Sequence, residues 1–189
     1  MRIKGVRRLP CLVLASGGLD STACLCYYRA RHQPVTALFV DYGQPARAME
    51  SKAVGAVCKK LRVPLRRVRI AGSSSAIGAI RGRNALLLIV ALISFEAESG
   101  LISLGIHAGT PYPDCSSAFV DQVQGIYDAY CAGRVRIDAP FAAWTKRDIY
   151  DFALDRGLPL HLTYSCLIGQ RQPCGSCESC KDLEALHAS

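Results

Sequence analysis

Leu12-Val13-Leu14-Ala15-Ser16-Gly17-Gly18-Leu19-Asp20-Ser21 is the stretch on which the reading of this chain turns. Four apolar residues run into a hydroxyl and two glycines, and Asp20, Ser21 and Thr22 then open a segment with apolar residues at helical spacing. That is the order of a buried strand, a tight turn and a helix N-terminus. Such a turn is suited to an anion. Gly17 and Gly18 let backbone N–H groups approach phosphate oxygens, the hydroxyls of Ser16 and Ser21 add donors, and the helix dipole favours negative charge. A bare Gly-Gly turn would signify only a connection. The full Ser-Gly-Gly-x-Asp-Ser string, placed between strand and helix, carries the anion reading.

The same grammar continues outward. Leu19 to Arg31 reads as a helix with basic residues toward its end, and Val35 to Val40 as a second buried strand running into Asp41-Tyr42-Gly43-Gln44. Ala46 to Leu61 is helical, Pro64 breaks it, and Leu65 to Ile70 makes a third strand. Ala71 to Ile80, small and polar, reads as a mobile loop before Gly82-Arg83-Asn84, from which an apolar helix runs to about Glu98. Leu101 to Ile106 is the fourth strand, and His107 to Cys115 a proline-rich loop at its end. A helix over Phe119 to Tyr130, a short strand over Val135 to Ile137 and a helix over Lys146 to Arg156 complete the pattern. Strands alternating with helices predict an α/β fold: a Rossmann-like parallel sheet with helices on both faces. Ligands of such sheets sit outside the carboxyl ends of the strands, where both Ser16–Ser21 and Asp41–Gln44 fall.

At 189 residues, half of them hydrophobic and a fifth charged, the composition is that of one globular domain with a real core. We divide it into 1–160, the alternating strands and helices with the anion turn, and 161–189, a small cysteine-bearing segment packed on the same domain. Arg2, Lys4, Arg7 and Arg8 ahead of an apolar run imitate a secretory leader, but the run is too short and leads straight into the glycine turn. No run is long enough to cross a bilayer. The formal charge of +8 and the cluster Arg62, Arg66, Arg67 and Arg69 invite nucleic acid, yet no aromatics interleave there for stacking, and direct nucleic-acid binding is not expected. Histidines 32, 107, 161 and 187 stand isolated, without a visible partner for base catalysis.

Of ten cysteines, Cys11, Cys24, Cys26 and Cys58 lie in apolar surroundings and read as small buried hydrophobes. Four others are different in kind. Cys166 precedes Cys174-Gly175-Ser176-Cys177-Glu178-Ser179-Cys180, and two-residue spacers let successive thiolates turn toward one ion. Four thiolates without a carboxylate suit a closed, structural zinc site in a reducing, cytoplasmic setting, with an iron–sulfur cluster left open on spacing alone.

The Ser16–Ser21 string resembles the pyrophosphate loop of the ATP pyrophosphatase (PP-loop) superfamily. With Asp41-Tyr42-Gly43-Gln44, Gly82-Arg83-Asn84, Tyr112-Pro113-Asp114-Cys115, Pro140 to Lys146 and Ser165-Cys166 with the terminal knuckle, nearly the whole chain resembles the QueC (7-cyano-7-deazaguanine synthase) family. The resemblance implies an ATP- and Mg²⁺-dependent ligase acting on 7-carboxy-7-deazaguanine. The carboxylate is adenylated with loss of pyrophosphate, ammonia converts the acyl adenylate to an amide, and a second ATP drives dehydration to the nitrile. It also implies that Ser16, Gly17, Gly18, Leu19, Asp20 and Ser21 hold the pyrophosphate, with Asp20 reaching Mg²⁺. Lys146 would stabilise the α-phosphate, Asp41, Tyr42, Gln44, Arg83 and Asn84 line the nucleotide and base pockets, and Asp114 accept from the guanine edge. Family members usually form homodimers.

The chain departs from that pattern on the acceptor side. The segment before Gly82 is cut to a loop around Ser73-Ser74-Ser75, Ala108, Gly109 and Thr110 stand where an acidic residue is usual, and Ser116 stands where an arginine is common. Two further expectations follow. QueC-like proteins occur in anti-phage defence, where the activated acyl group would pass to an amine on a partner protein. A non-catalytic nucleotide-binding module would instead tolerate loss of Asp20 or Lys146.

Overall fold

The computed structural model describes residues 8–71 and 80–188. Among them, β1 (Cys11–Leu14), β2 (Val35–Asp41), β3 (Leu65–Arg69), β4 (Gly100–Ser103) and β5 (Val135–Asp138) form one sheet in the order β3-β2-β1-β4-β5. Every pairing is parallel, with Cys11 opposite both Val35 and Leu101. The helices are α1 (Leu19–Ala30), α2 (Arg47–Leu61), α3 (Arg83–Ser94), α4 (Ser117–Cys131), α5 (Lys146–Asp155) and α6 (Glu178–Ala188). The chain builds outward from β1 to β3 and then returns to lay β4 on the other side of β1. The strand order therefore reverses at the carboxyl end of β1, where two crossovers diverge and leave a crevice.

Both faces of the sheet are covered, which is why the central strands read as unbroken apolar runs. Successive side chains still point to opposite faces. Cys11, Val13 and Ala15 join Val35, Ala37 and Phe39 in a core closed by α1, α2, α5 and the end of α6. Leu12 and Leu14 join Leu38, Val40 and Ile102 in a second core closed by α3 and α4. Cys11, Cys24 and Cys58 are buried in the first core and Cys26 packs against it, as small hydrophobes should. The outer edges are managed differently. On β5, Gln124 of α4 donates to the Val135 carbonyl and accepts from the Ile137 amide at 2.7 Å, occupying groups that would otherwise pair with another strand. On β3, arginines do the blunting: Arg66 reaches the Ser94 carbonyl and Glu96, Arg67 reaches Ser51, and Arg69 lies 4.0 Å from Asp41. Arg66 and Arg67 thus face protein acceptors.

Three features differ from the sequence reading. The apolar helix stops at Ser94, not near Glu98, because Phe95 turns extended and Arg66 binds the last carbonyl. Strand β4 ends at Ser103, not Ile106, because the chain leaves the sheet to cross the start of α1, where a Cβ on Gly105 would lie 3.2 Å from the Asp20 backbone. Helix α6 and the single 3-10 turns Pro113–Cys115 and Leu160–Leu162 were not anticipated, since the cysteines of the knuckle mask the spacing of Cys180, Leu183 and Leu186. The loop expected over Ala71–Ile80 falls almost wholly outside the described residues.

Candidate active site at the carboxyl edge of the sheet

The crevice at the strand reversal is a cleft of about 300 Å³. Its floor is the carboxyl ends of β1, β2 and β4, and its lining includes Ser16, Gly18, Leu19, Asp20 and Ser21. Helix α1 begins at Gly18 without a side-chain cap, so the first-turn amides aimed at the cleft keep their hydrogen-bonding capacity for an anion. The Ser16 and Ser21 hydroxyls lie 3.4 Å apart, and the Gly18 amide leans on Ser16 Oγ at 3.4 Å. Gly17 does not line the cleft. At φ +83° it packs against α2, where a Cβ would come within 2.5 Å of the Val54 nitrogen, so its task is to shape the turn.

Lys146 enters from the opposite side of the chain's order. Thr145 caps α5 in a reciprocal box with Asp148, and Lys146 is the first residue of that helix. The Thr145 amide and hydroxyl, both donating to Asp148 Oδ2, hold the Asp148 carboxyl below its ordinary range. This fixed start directs Lys146 Nζ to both carboxylate oxygens of Asp20, at 2.8 and 2.6 Å. Each side chain keeps about a quarter of its surface accessible, 25% and 24%, so the pair opens onto the cleft rather than being sealed in the core.

Away from Lys146, the wall of the cleft is a mesh of polar groups. Asn84, buried at the start of α3, donates to the Asp114 carbonyl at 2.9 Å and, through its backbone, to Asp114 Oδ2 at 3.2 Å. Arg83 Nε rests on Asn84 Oδ1, and the guanidinium also bonds Tyr42. Burial pushes the Tyr42 hydroxyl up, against the pull of Arg83. Gln44 is buried and spent on its own turn, accepting from the Tyr42 amide and donating to Val40 O and Glu50. Asp41 stands apart from the cleft: it accepts from the Gly43 amide at 3.0 Å and lines a separate depression with Arg47, Arg67 and Arg69. Tyr42, Gln44, Arg83, Asn84 and Asp114 are thus brought together with Lys146 and the Ser16–Ser21 loop, whereas Gly17 and Asp41 support the turns behind them.

Cysteines 166, 174, 177 and 180 converge, their sulfurs all within 4.8 Å of one another. A tetrahedral zinc–thiolate site has sulfurs about 3.8 Å apart, so one ion fits with little adjustment. Backbone amides support the sulfurs: the Cys174 amide faces Cys166 Sγ at 3.4 Å and the Cys177 amide faces Cys174 Sγ at 3.3 Å. The Ser176 hydroxyl, with neighbouring amides, holds the Cys174 thiol down at about 6, favouring thiolate. This segment is tied to the phosphate loop itself, since the Tyr164 amide donates to the Gly17 carbonyl at 2.9 Å. It also forms a wall of the cleft, where Tyr112 donates to Glu178 at 2.7 Å across the mouth.

Sequence reasoning passed over Glu50, His107, Tyr112 and Glu178 as site residues, all of which line the cleft. The signal for Glu50 was its place in the first turn of the helix after Gln44. His107 offered none until the strand end was located; its Nδ1 lies 2.7 Å from the Ala108 carbonyl, an acceptor that calls for a proton on that nitrogen.

A sequence model of the family described as Queuosine biosynthesis protein QueC matches residues 10–79 and 73–187. The 7-cyano-7-deazaguanine synthase of Prochlorococcus marinus (strain MIT 9515) is 30% identical over 202 residues, which cover 90% of this chain and 89% of that protein. The 7-cyano-7-deazaguanine synthase 1 of Sulfurisphaera tokodaii is 29% identical over 191 residues, covering 94% and 93%. Among solved structures, the U34-tRNA thiolase NcsA from Methanococcus maripaludis, which carries a 4Fe-4S cluster, superposes with a TM-score of 0.57 at 14% identity, over 97% of this chain and 66% of that one. NMN synthetase from Francisella tularensis gives 0.54 at 11% identity, over 96% and 84%. At such identities the two structures share the fold with this chain. The family match runs from the residue before β1 to the last turn of α6 and takes in every side chain described above: the chain belongs to the QueC family.

Proposed function

We propose that this protein adenylates the carboxylate of 7-carboxy-7-deazaguanine with ATP and converts the acyl adenylate, with ammonia and a second ATP, to 7-cyano-7-deazaguanine. The observation that supports this best is the meeting of Lys146 Nζ with Asp20 at the uncapped N-terminus of α1, beside the Ser16–Ser21 loop. A carboxylate oxygen attacks the α-phosphorus, and the bond to the β-phosphate breaks as pyrophosphate departs. The α1 amides and the Ser16 and Ser21 hydroxyls receive that anion, and Lys146 offsets charge on the α-phosphate. Asp20 is the group able to hold Mg²⁺, which would offset phosphate charge. Ammonia then attacks the acyl carbon and AMP leaves. The amide oxygen is adenylated in turn, and loss of a second AMP with the amide protons yields the nitrile. The four cysteines suit zinc, a closed ligand set that serves structure. Residues 1–160 would carry the chemistry and 161–189 its support, in a cytoplasmic protein. The exposed apolar side chains Leu86 and Ile93 of α3 and Ile126 and Tyr130 of α4 favour a homodimer through that side.

Incubation with ATP, Mg²⁺ and 7-carboxy-7-deazaguanine should release AMP and pyrophosphate, and adding ammonia should yield the nitrile. Absence of AMP from a folded, metal-loaded sample would overturn the reading. A second reading draws on the shortened segment before Gly82 and on the acidic wall of Glu178 and Asp182 at the cleft mouth. There the acyl group passes to an amine on a protein partner, and intact-mass measurement of that partner would show the added group.

A further inference from the structure

The cleft holds a carboxylate that this reaction does not use. Glu50, mostly buried in the first turn of α2, receives Gln44 Nε2 at 2.8 Å on Oε2, and among the described residues nothing donates to Oε1. Burial pushes its carboxyl above the ordinary range, while the Gln44 amide and the Arg83 guanidinium pull it back and Asp41 raises it. A half-buried carboxylate at the wall of a cleft, with one oxygen lacking a donor, calls for one. Gln44 cannot turn to supply a second one. Its Nε2 also donates to Val40 O at 3.2 Å and its Oε1 accepts from the Tyr42 amide at 2.9 Å, so its orientation is set from three sides.

We propose that Glu50 is a specificity-determining residue, whose free carboxylate oxygen accepts an N–H from the amino-bearing edge of a purine-like ring. The inference rests on the reading above, which brings two such rings to the cleft: adenine, with its 6-amino group, and the deazaguanine, with its 2-amino group and ring N–H. Both offer the same donor chemistry. Asp114 sits at another point of the lining, already bonded by Asn84, so Glu50 and Asp114 need not serve one edge.

The locked Gln44 makes the test sharp. In Glu50→Gln the amide oxygen must face Gln44 Nε2, which turns the amide NH₂ toward the cleft and replaces an acceptor by a donor. An amino-bearing ring then meets donor against donor, whereas a ring carrying an oxo group there gains a partner. Wild-type and variant protein are compared with ATP against inosine triphosphate, and with the 2-amino base against its 2-oxo analogue, by equilibrium calorimetry and by AMP release. A buried donor–acceptor mismatch is worth roughly 10- to 100-fold. The amino-over-oxo preference should fall by that amount or reverse in one pair and stay unchanged in the other, and the pair that moves identifies the ring. Glu50→Ala, should the amide disturb the turn, must abolish the same preference without reversing it. Unchanged preferences in both pairs for both variants, with melting temperatures near wild type, would overturn the proposal. Wild-type protein that binds these ligands but forms no AMP would count against the reaction and leave the binding arm to decide Glu50.

Discussion

Lys146 and Asp20, 126 positions apart in sequence, meet as the first turns of two helices, with one ammonium bound by both oxygens of one carboxylate. The contact satisfies each charge in the absence of nucleotide and places both at the anion end of α1. Lys146→Ala should lower kcat/KM for AMP formation by about 10²–10³, the scale of one lost donor to a developing charge. An ion pair this accessible contributes at most about 1 kcal/mol to the fold, so the melting temperature should move little. Asp20→Asn should also be inactive, and the double variant should not recover. AMP and pyrophosphate release followed beside thermal melting separates the two effects.

The cysteine tetrad predicts one zinc per chain. Cys177→Ser should bring the zinc content well below one and lower the melting temperature, with a strong chelator reproducing both changes in the unaltered protein. Elemental analysis reads the first and calorimetry the second. Retained iron with visible absorbance in anaerobically prepared protein would instead assign a cluster.

Glu50 predicts a pH signature in stability. Its carboxyl lies above the ordinary 4.5, so the folded state binds this proton more tightly than the unfolded chain does. The favourable contribution is present below about 4.5 and is lost as pH rises through the folded value, leaving a penalty at neutral pH. Glu50→Gln, which cannot ionise, should be at least as stable as wild type at pH 7, with its relative advantage shrinking toward pH 4. Denaturant titrations across that range check the sign.

Gly17→Ala should destabilise the protein by roughly 1–3 kcal/mol. The left-handed backbone disfavours a Cβ, and that Cβ would press on the Val54 nitrogen of α2. Relief requires the phosphate loop to shift, so ATP affinity should fall together with the melting temperature, unlike in Lys146→Ala.

Much of this was legible in the chain. Leu12–Ala15 and Val35–Val40 announced buried parallel strands because helices cover both faces, and the glycine turn announced the helix start. Thr145 marked the helix that presents Lys146. Other features were not local properties. Asp41 and Gln44 are the two ends of one motif, yet one stabilises a turn behind the cleft and the other lines it, a division set by the direction of the chain as it leaves β2. Glu50 looked like an ordinary helix-start carboxylate, and Glu178 like a spacer in the cysteine knuckle. Only the strand order reveals that both helices begin at the same crevice. Helix α6 hid because its apolar positions are shared with the cysteines of the knuckle.

The amide of Tyr164 on the carbonyl of Gly17 has a consequence for biosynthesis. The Ser16–Ser21 turn leaves the ribosome ahead of residues that brace its back and wall its cleft, which are made about 150 positions later. A nascent chain arrested before Tyr164 therefore carries the recognition string without the backing that shapes it. Competence to bind nucleotide should arrive late and abruptly, once Tyr164 and the segment that follows it have emerged.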